Sequence, residues 1–494
     1  MASATLVFLA VSAVIAVGYF AGRFARSTRF PDVALLLVIG LALGPGNRLL
    51  RSQGLGSAAL ADALDPAWLR EVAPIVAGLA LVVILFEAGL GMEVRQIRSS
   101  LGPAVRIALP VFLLTAGAVA AIGVWVFGMP PIVAVVLGVA LSNVGQTVSS
   151  ALLRRMRTDE STRAIGLVEM AIYDVVSVPI LVSLFQFAGG GPEEGVMWSE
   201  AIRGFAQTTA ISLSLGGGAG IVWLLALGRL EGHPHSYVLT LATLLAVYAI
   251  TEALGGAGAV SVLLFGLIIG NRVSLLRRFG RRFAREGEEA KVQAFHEEVS
   301  FFVRTVFFLF LGLSFTIGLQ DRWPVASPLQ VLEPLRNRAA LFGLGAALVL
   351  VALPLARAAA IPAVAGRRHR EWHDLIPVFG HGLGTAVLAT LPFIWHDYQP
   401  GTAFHAQFSP WEPVFVNLAF LVILGSVLGS GALVFVSERW PGRAAEASRT
   451  AAAETLSPPV ARARPTTQVA TAKGPRQAPA SREPARQRPR KPNA

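Results

Sequence analysis

Apolar residues run along this chain in stretches of roughly twenty, the length a helix needs to cross the hydrocarbon core of a bilayer. Short polar connections rich in arginine, glycine and proline part them. The pattern predicts thirteen spans, at about residues 3–22, 32–48, 71–92, 103–127, 130–153, 162–189, 203–228, 236–254, 257–271, 295–319, 337–365, 373–395 and 411–438. In lipid every backbone group must be satisfied within the protein, so such runs specify an all-α polytopic membrane protein. The stretches at 32–48 and 257–271 are short and glycine-bearing, as in tightly packed or re-entrant segments.

Two stretches interrupt their own pattern. One is LSNVGQTVSS, Leu141 to Ser150, and the other is FGHGLGTAVLATLP, Phe379 to Pro392. Glycine with small polar residues at mid-membrane is what a broken helix needs, because the freed backbone must find other partners. Two such breaks, seven spans apart, point to an inverted-repeat transporter with two broken helices crossing at a binding site.

Charge then orients the chain. Strongly basic connections follow the odd-numbered spans: Arg23, Arg26 and Arg29; Arg95 and Arg98; Arg154, Arg155, Arg157 and Arg163; the loop Arg272 to Lys291; and Arg367, Arg368 and Arg370. Arg48, Arg51, Arg336 and Arg338 dissent. The positive-inside rule places the N-terminus outside and the C-terminal tail in the cytoplasm of a cell-membrane protein. The N-terminal run carries its arginines after the apolar stretch, the reverse of a cleaved signal peptide, so it reads as a retained first helix.

Composition sharpens the division into domains. The 494 residues are 54% hydrophobic and 15% charged, where a soluble protein carries about 25% charged residues. Residues 1–438 read as one transmembrane domain. Residues 439–494 are rich in alanine, proline and arginine and hold few large apolar side chains, which predicts a disordered basic tail. That tail supplies much of the net charge of +12, as a solvated cytoplasmic segment or a contact for anionic lipid. There is no cysteine, so disulfides and thiolate chemistry are excluded. No phosphate-binding loop or zinc spacing is present, the tail lacks the interleaved aromatics of a nucleic-acid binder, and no cofactor is expected.

The candidate chemistry lies in Ser161 to Pro192, a run that could span a bilayer yet carries Glu169 and Asp174. A charged side chain at mid-membrane costs roughly 3 kcal/mol on insertion scales, so such groups line a cavity or hold a partner. Five residues along a helix turn them about 140° apart. Asp174 shares a stripe with Met170 and Ser177, and Glu169 needs a cation of its own. Arg304 lies about nine residues into the span at 295–319, at a depth close to that of Glu169, which makes it the expected partner; Glu297 is its competitor. Asp174 is then free to hold a proton or a small cation, but not both, and that exclusion suffices for exchange. Ser142, Asn143, Gln146, Thr147 and Ser177 offer the neutral oxygens that an alkali cation such as Na⁺ or K⁺ takes up. Glu87 could belong to a cation path or hold two helices together. Glu252 reads as a surface residue near an outer end. His381 could tune a pH response or simply be a satisfied histidine in the second break. Arg357 reads as an arginine that snorkels to the inner face.

With these residues in place, the chain resembles the monovalent cation:proton antiporter superfamily, in its sodium/proton exchanger branch, from about Leu6 to Ser437. FPDVALLLVIGLALGP and LFEAGLGMEVRQIR are similar to the family's second and third helices. FHEEVSFFVRTVFFLFLGL is similar to the tenth helix of archaeal-type sodium/proton antiporters, and Glu169 with Asp174 matches the acidic motif of the sixth. The resemblance implies an inverted repeat with core and dimerisation domains, a homodimer and an elevator-like motion. It also implies that Asp174 carries cation and proton while Glu169 pairs with Arg304. Three positions depart from the family's pattern. Tyr173 precedes Asp174 where relatives often have a second polar or acidic residue, which implies electroneutral exchange of one proton per cation. Val144-Gly145-Gln146 stands where relatives have Thr-Asp-Pro, and Gly384 where many have arginine. These departures leave both Na⁺ and K⁺ open. The rival readings are a channel-like potassium-efflux member, a non-transporting regulatory protein of the same fold, and a membrane-embedded enzyme.

Overall fold

The computed structural model describes residues 2–28, 31–57, 66–92, 94–189, 198–230, 236–272, 275, 288–315, 337–366, 369–395 and 398–439. The basic tail lies outside them. Every regular element among them is helical: α1 (Ala2–Thr28), α2 (Asp32–Leu41), α3 (Asn47–Ser52), α4 (Pro66–Leu90), α5 (Val94–Ile122), α6 (Pro131–Ala140), α7 (Gln146–Arg155), α8 (Glu160–Gly189), α9 (Trp198–Leu230), α10 (Ser236–Ala253), α11 (Gly258–Gly270), α12 (Glu288–Ser314), α13 (Arg338–Ala365), α14 (Leu383–Thr390), α15 (Ala403–Phe408) and α16 (Glu412–Arg439). Six stretches among the described residues are long and apolar enough to cross a membrane, from Asp32–Ser52 to Ala403–Ser437, and shorter apolar helices lie between them.

The helix ends follow the apolar runs closely, as α8, α11 and α13 show. Where the outcome differs, the cause is local. The run expected to stop at residue 48 continues into α3 through a wide turn at Ala42–Gly46. That turn absorbs Pro45, which has no N–H to give to the helical ladder. The expected break at 141–150 is only Leu141–Gly145, because α7 resumes at Gln146. In the second broken stretch a 3₁₀ turn, Arg370–Leu375, leads into extended residues 378–382, and α14 follows.

Small residues set the helix spacing. A Cβ on Gly89 of α4 would lie 2.2 Å from the Leu263 carbonyl of α11, and one on Gly266 would lie 2.5 Å from the Phe86 carbonyl. These backbones touch directly, the packing mode that works where lipid provides no hydrophobic drive between helices. Leucine, isoleucine and phenylalanine side chains of α5 and α9 face outward, as a surface solvated by acyl chains requires. Inside, α8 is the most enclosed long helix, and it is packed by α5, α6, α7 and α9. The two carboxylates therefore sit on a helix with little access to water.

Candidate functional site

The site forms where the two breaks cross. Gly145 and Gly382 stand back to back, and a Cβ on Gly145 would fall 2.4 Å from Gly382 N. Gly145 N donates to the Gly380 carbonyl at 2.9 Å, and Ser149 Oγ donates to the same oxygen at 3.1 Å. His381 Nε2 donates to the Leu141 carbonyl at 3.0 Å. Thr385 Oγ1 donates to the Asn143 carbonyl at 2.6 Å. From the far side, Ser426 and Ser430 lie one turn apart on α16 and accept from His381 N and Phe379 N at 2.9 and 3.3 Å. Several of the groups freed by breaking two helices are thus satisfied by each other and by side chains, as buried backbone demands.

Asp174 faces this crossing from α8 and is 8% exposed. Asn143 Nδ2 donates to its Oδ1 at 2.8 Å. The Asn143 Oδ1, also buried, meets no protein donor. Both side chains border a small pocket, with Gly384 and otherwise aliphatic residues of α4, α8 and α14 around it. Ser177, one turn beyond Asp174, is fully buried and its hydroxyl has no partner, yet it does not border the pocket. Ser142 turns its hydroxyl back onto the Gly138 carbonyl at 2.6 Å and finishes α6. Gln146 opens α7, and its Oε1 is buried without a donor. The side chain of Thr147 lies outside the described residues. Asp174 and Asn143 are therefore the two expected site residues that meet in the pocket.

Glu169 points to the other side of α8, and its partner is not Arg304. Arg357 of α13 holds it with two bonds, Nη1 to Oε1 at 2.8 Å and Nη2 to Oε2 at 3.1 Å. Arg357 Nε donates to the Leu375 carbonyl at 3.1 Å, and Tyr173 donates its hydroxyl to Glu169 Oε1 at 2.5 Å. Tyr173 also stacks on Phe112 of α5. Arg357 is 2% exposed and Glu169 is fully buried. Arg304 instead faces Asp32 at the start of α2, 3.9 Å away, with both groups partly exposed. The competing Glu297 is exposed. The correction has a simple origin. Arg357 lies eight residues before the end of α13, about 12 Å at 1.5 Å per residue, so depth alone cannot tell it from Arg304. What separates them is lateral placement: α13 packs on α5 and the 3₁₀ turn beside α8, and α12 packs on α2 and α4. Arg357 does not snorkel.

The remaining candidates are structural in their contacts. Glu87 accepts from Ser300 of α12, which ties α4 to that helix. Glu252 accepts from Gly258 N at 2.7 Å and caps α11. Thr385, Ser426 and Ser430 were not singled out from the sequence. The i,i+4 spacing of the two serines was the available signal.

The family model described as "Sodium/hydrogen exchanger, transmembrane" matches residues 10–437. The chain is similar to the K(+)/H(+) antiporter NhaP of Alkalimonas amylolytica, 23% identical over 89% of this chain and 67% of the relative. It is also similar to the Na(+)/H(+) antiporter ApNhaP of Aphanothece halophytica, 27% identical over 64% of this chain and 56% of the relative. Against NhaP2 of Shewanella sp. strain MR-4, a K(+)/H(+) antiporter, it spans 58% of the relative's length. The solved structure of MjNhaP1, a sodium proton antiporter from Methanocaldococcus jannaschii, superposes with a TM-score of 0.64 at 17% identity, covering 89% of this chain and 99% of that one. The helical architecture is that antiporter fold.

Proposed function

Because the chain belongs to the sodium/hydrogen exchanger family, we propose that it is a secondary antiporter exchanging a monovalent cation, Na⁺ or K⁺, for H⁺ at Asp174. The observation that carries this is the division of labour on α8. Glu169 is neutralised by a bidentate arginine, while Asp174 faces the pocket with, among the described residues, only the Asn143 amide on its Oδ1. A buried carboxylate without a fixed counter-ion needs a mobile one, and a proton and an alkali cation are mutually exclusive ways to supply it. Asn143 helps in both states. Its amide N–H steadies Oδ1, and its own free carbonyl oxygen is a neutral ligand of the kind a dehydrated alkali cation accepts.

Tyr173 spends its hydroxyl on Glu169 and brings no second carboxylate to the pocket, which supports one proton per cation and electroneutral exchange. The names of the relatives support both cations as substrates. The same reading extends to thirteen crossings, a homodimer, an N-terminus outside, and a transmembrane domain 1–438 followed by a basic cytoplasmic tail.

The test is proton flux in proteoliposomes loaded with a pH dye and pulsed with Na⁺, K⁺ or Li⁺. Wild type and Asp174→Asn are run side by side, with and without a clamped potential. Cation-dependent alkalinisation that disappears in Asp174→Asn and ignores the clamp is expected. Flux that survives in the variant would refute the assignment of Asp174, and conduction without coupled proton movement would favour a channel-like protein.

A further inference from the structure

A cation at Asp174 meets an unusual wall. Of the described side chains that border the pocket, Asp174 and Asn143 alone carry oxygen, and the rest are aliphatic or absent. The absent one is at Gly384, on the first turn of α14. A Cβ there would lie 3.3 Å from Asp174 Oδ1 and 3.4 Å from Asn143 Nδ2, on the spot where these two groups face the pocket. No turn geometry explains this glycine. It lies inside a helix, and it is not among the glycines with positive φ.

Resting on the exchange reading above, we propose that Gly384 sets the size of the cation cradle and that the site favours K⁺ and Rb⁺ over Na⁺ and Li⁺. Two physical arguments combine. An ion entering a buried site must replace the water it sheds with protein oxygen. This pocket offers little oxygen, so it suits the ions that release water most readily, and these are the larger ones. The missing side chain at 384 keeps the space beside the carboxylate open to that larger ion. A methyl group at 384 takes that room while adding no ligand.

The experiment measures the cation dependence of proton flux for K⁺, Rb⁺ and Na⁺ in wild type, Gly384→Ala and Val387→Ala. Val387 is buried and borders the same pocket, so its truncation widens the cradle. Wild type is expected to show a lower apparent KM for K⁺ and Rb⁺ than for Na⁺. In Gly384→Ala the KM for K⁺ and Rb⁺ should rise ~10-fold, the lower end of what one methyl group is worth in a fitted pocket, against less than about twofold for Na⁺. Val387→Ala should shift the ratio the opposite way, towards Rb⁺, which keeps the test decisive if Gly384→Ala folds poorly. A wild type that prefers Na⁺, or a K⁺:Na⁺ ratio unmoved in both variants, overturns the size role of Gly384 while exchange itself stands. Absence of flux with all three ions overturns both readings together.

Discussion

Removing Glu169 tests the buried pair most directly. In wild type Arg357 places three N–H donors on defined acceptors, two on Glu169 and one on the Leu375 carbonyl, and has almost no exposure. Glu169→Ala strips two of those bonds, leaves a guanidinium in a site sealed from water and takes the acceptor from Tyr173. Breaking a buried pair by removing one partner costs about 3–5 kcal/mol. At two degrees or so per kcal/mol, the apparent melting point should fall on the order of 5–10 °C. Arg304→Ala is the comparison: its bridge to Asp32 is long and partly exposed, and such pairs contribute about 0–1 kcal/mol. The assay is tryptophan-fluorescence melting of purified protein, every variant scanned at one rate, because the midpoint of an irreversible unfolding depends on that rate. The double variant Glu169→Leu/Arg357→Met supplies the sign. Replacing both charges with apolar groups of similar size is often neutral, so it should melt above Glu169→Ala. A Glu169→Ala protein as stable as Arg304→Ala would refute the reasoning, and so would a double variant that loses the sum of its singles.

Two further outcomes follow from the crossing and from the tyrosine. Gly145→Ala puts a methyl group into the backbone of Gly382, where the approach is 2.4 Å; nothing flexible can yield, so both breaks must shift, and flux should be lost together with several degrees of melting temperature. Tyr173→Phe removes one hydrogen bond from a carboxylate that keeps its arginine, and should lower stability by about 1.5–3 kcal/mol while electroneutral exchange persists. Flux through Tyr173→Phe that becomes sensitive to a clamped potential would contradict the role given to that residue.

Much of this was legible in one dimension because lipid forces it to be. A run such as Arg338 to Ala365 has one solution in a bilayer, and it ends at an Asn337 cap and at Gly366 in positive φ. The breaks were legible as well, since glycine and hydroxyls at mid-membrane are costly for an intact helix. Asp174 was legible as a carboxylate inside an apolar span, and Asn143 as part of the first break. The partner of Glu169 was not, although the need for one was. Periodicity gives the side of a helix a residue takes, and loop charges give its depth, but neither gives the azimuthal order of helices in the bundle. Arg304 and Arg357 were equal by depth, and only the placement of α13 beside α8 decides between them.

The decision has a mechanistic consequence. Arg357 grips the Leu375 carbonyl at the approach to the second break while it neutralises α8, so one side chain fixes both the helix that carries Asp174 and the segment that passes Gly145. A partner on α12 would have tied α8 to α2 and α4 instead, and left the Leu375 carbonyl without its bond from Arg357. The structure keeps its permanent charge pair between α8 and the segment that leads into the second break. The carboxylate of Asp174, on the other face of α8, borders the pocket.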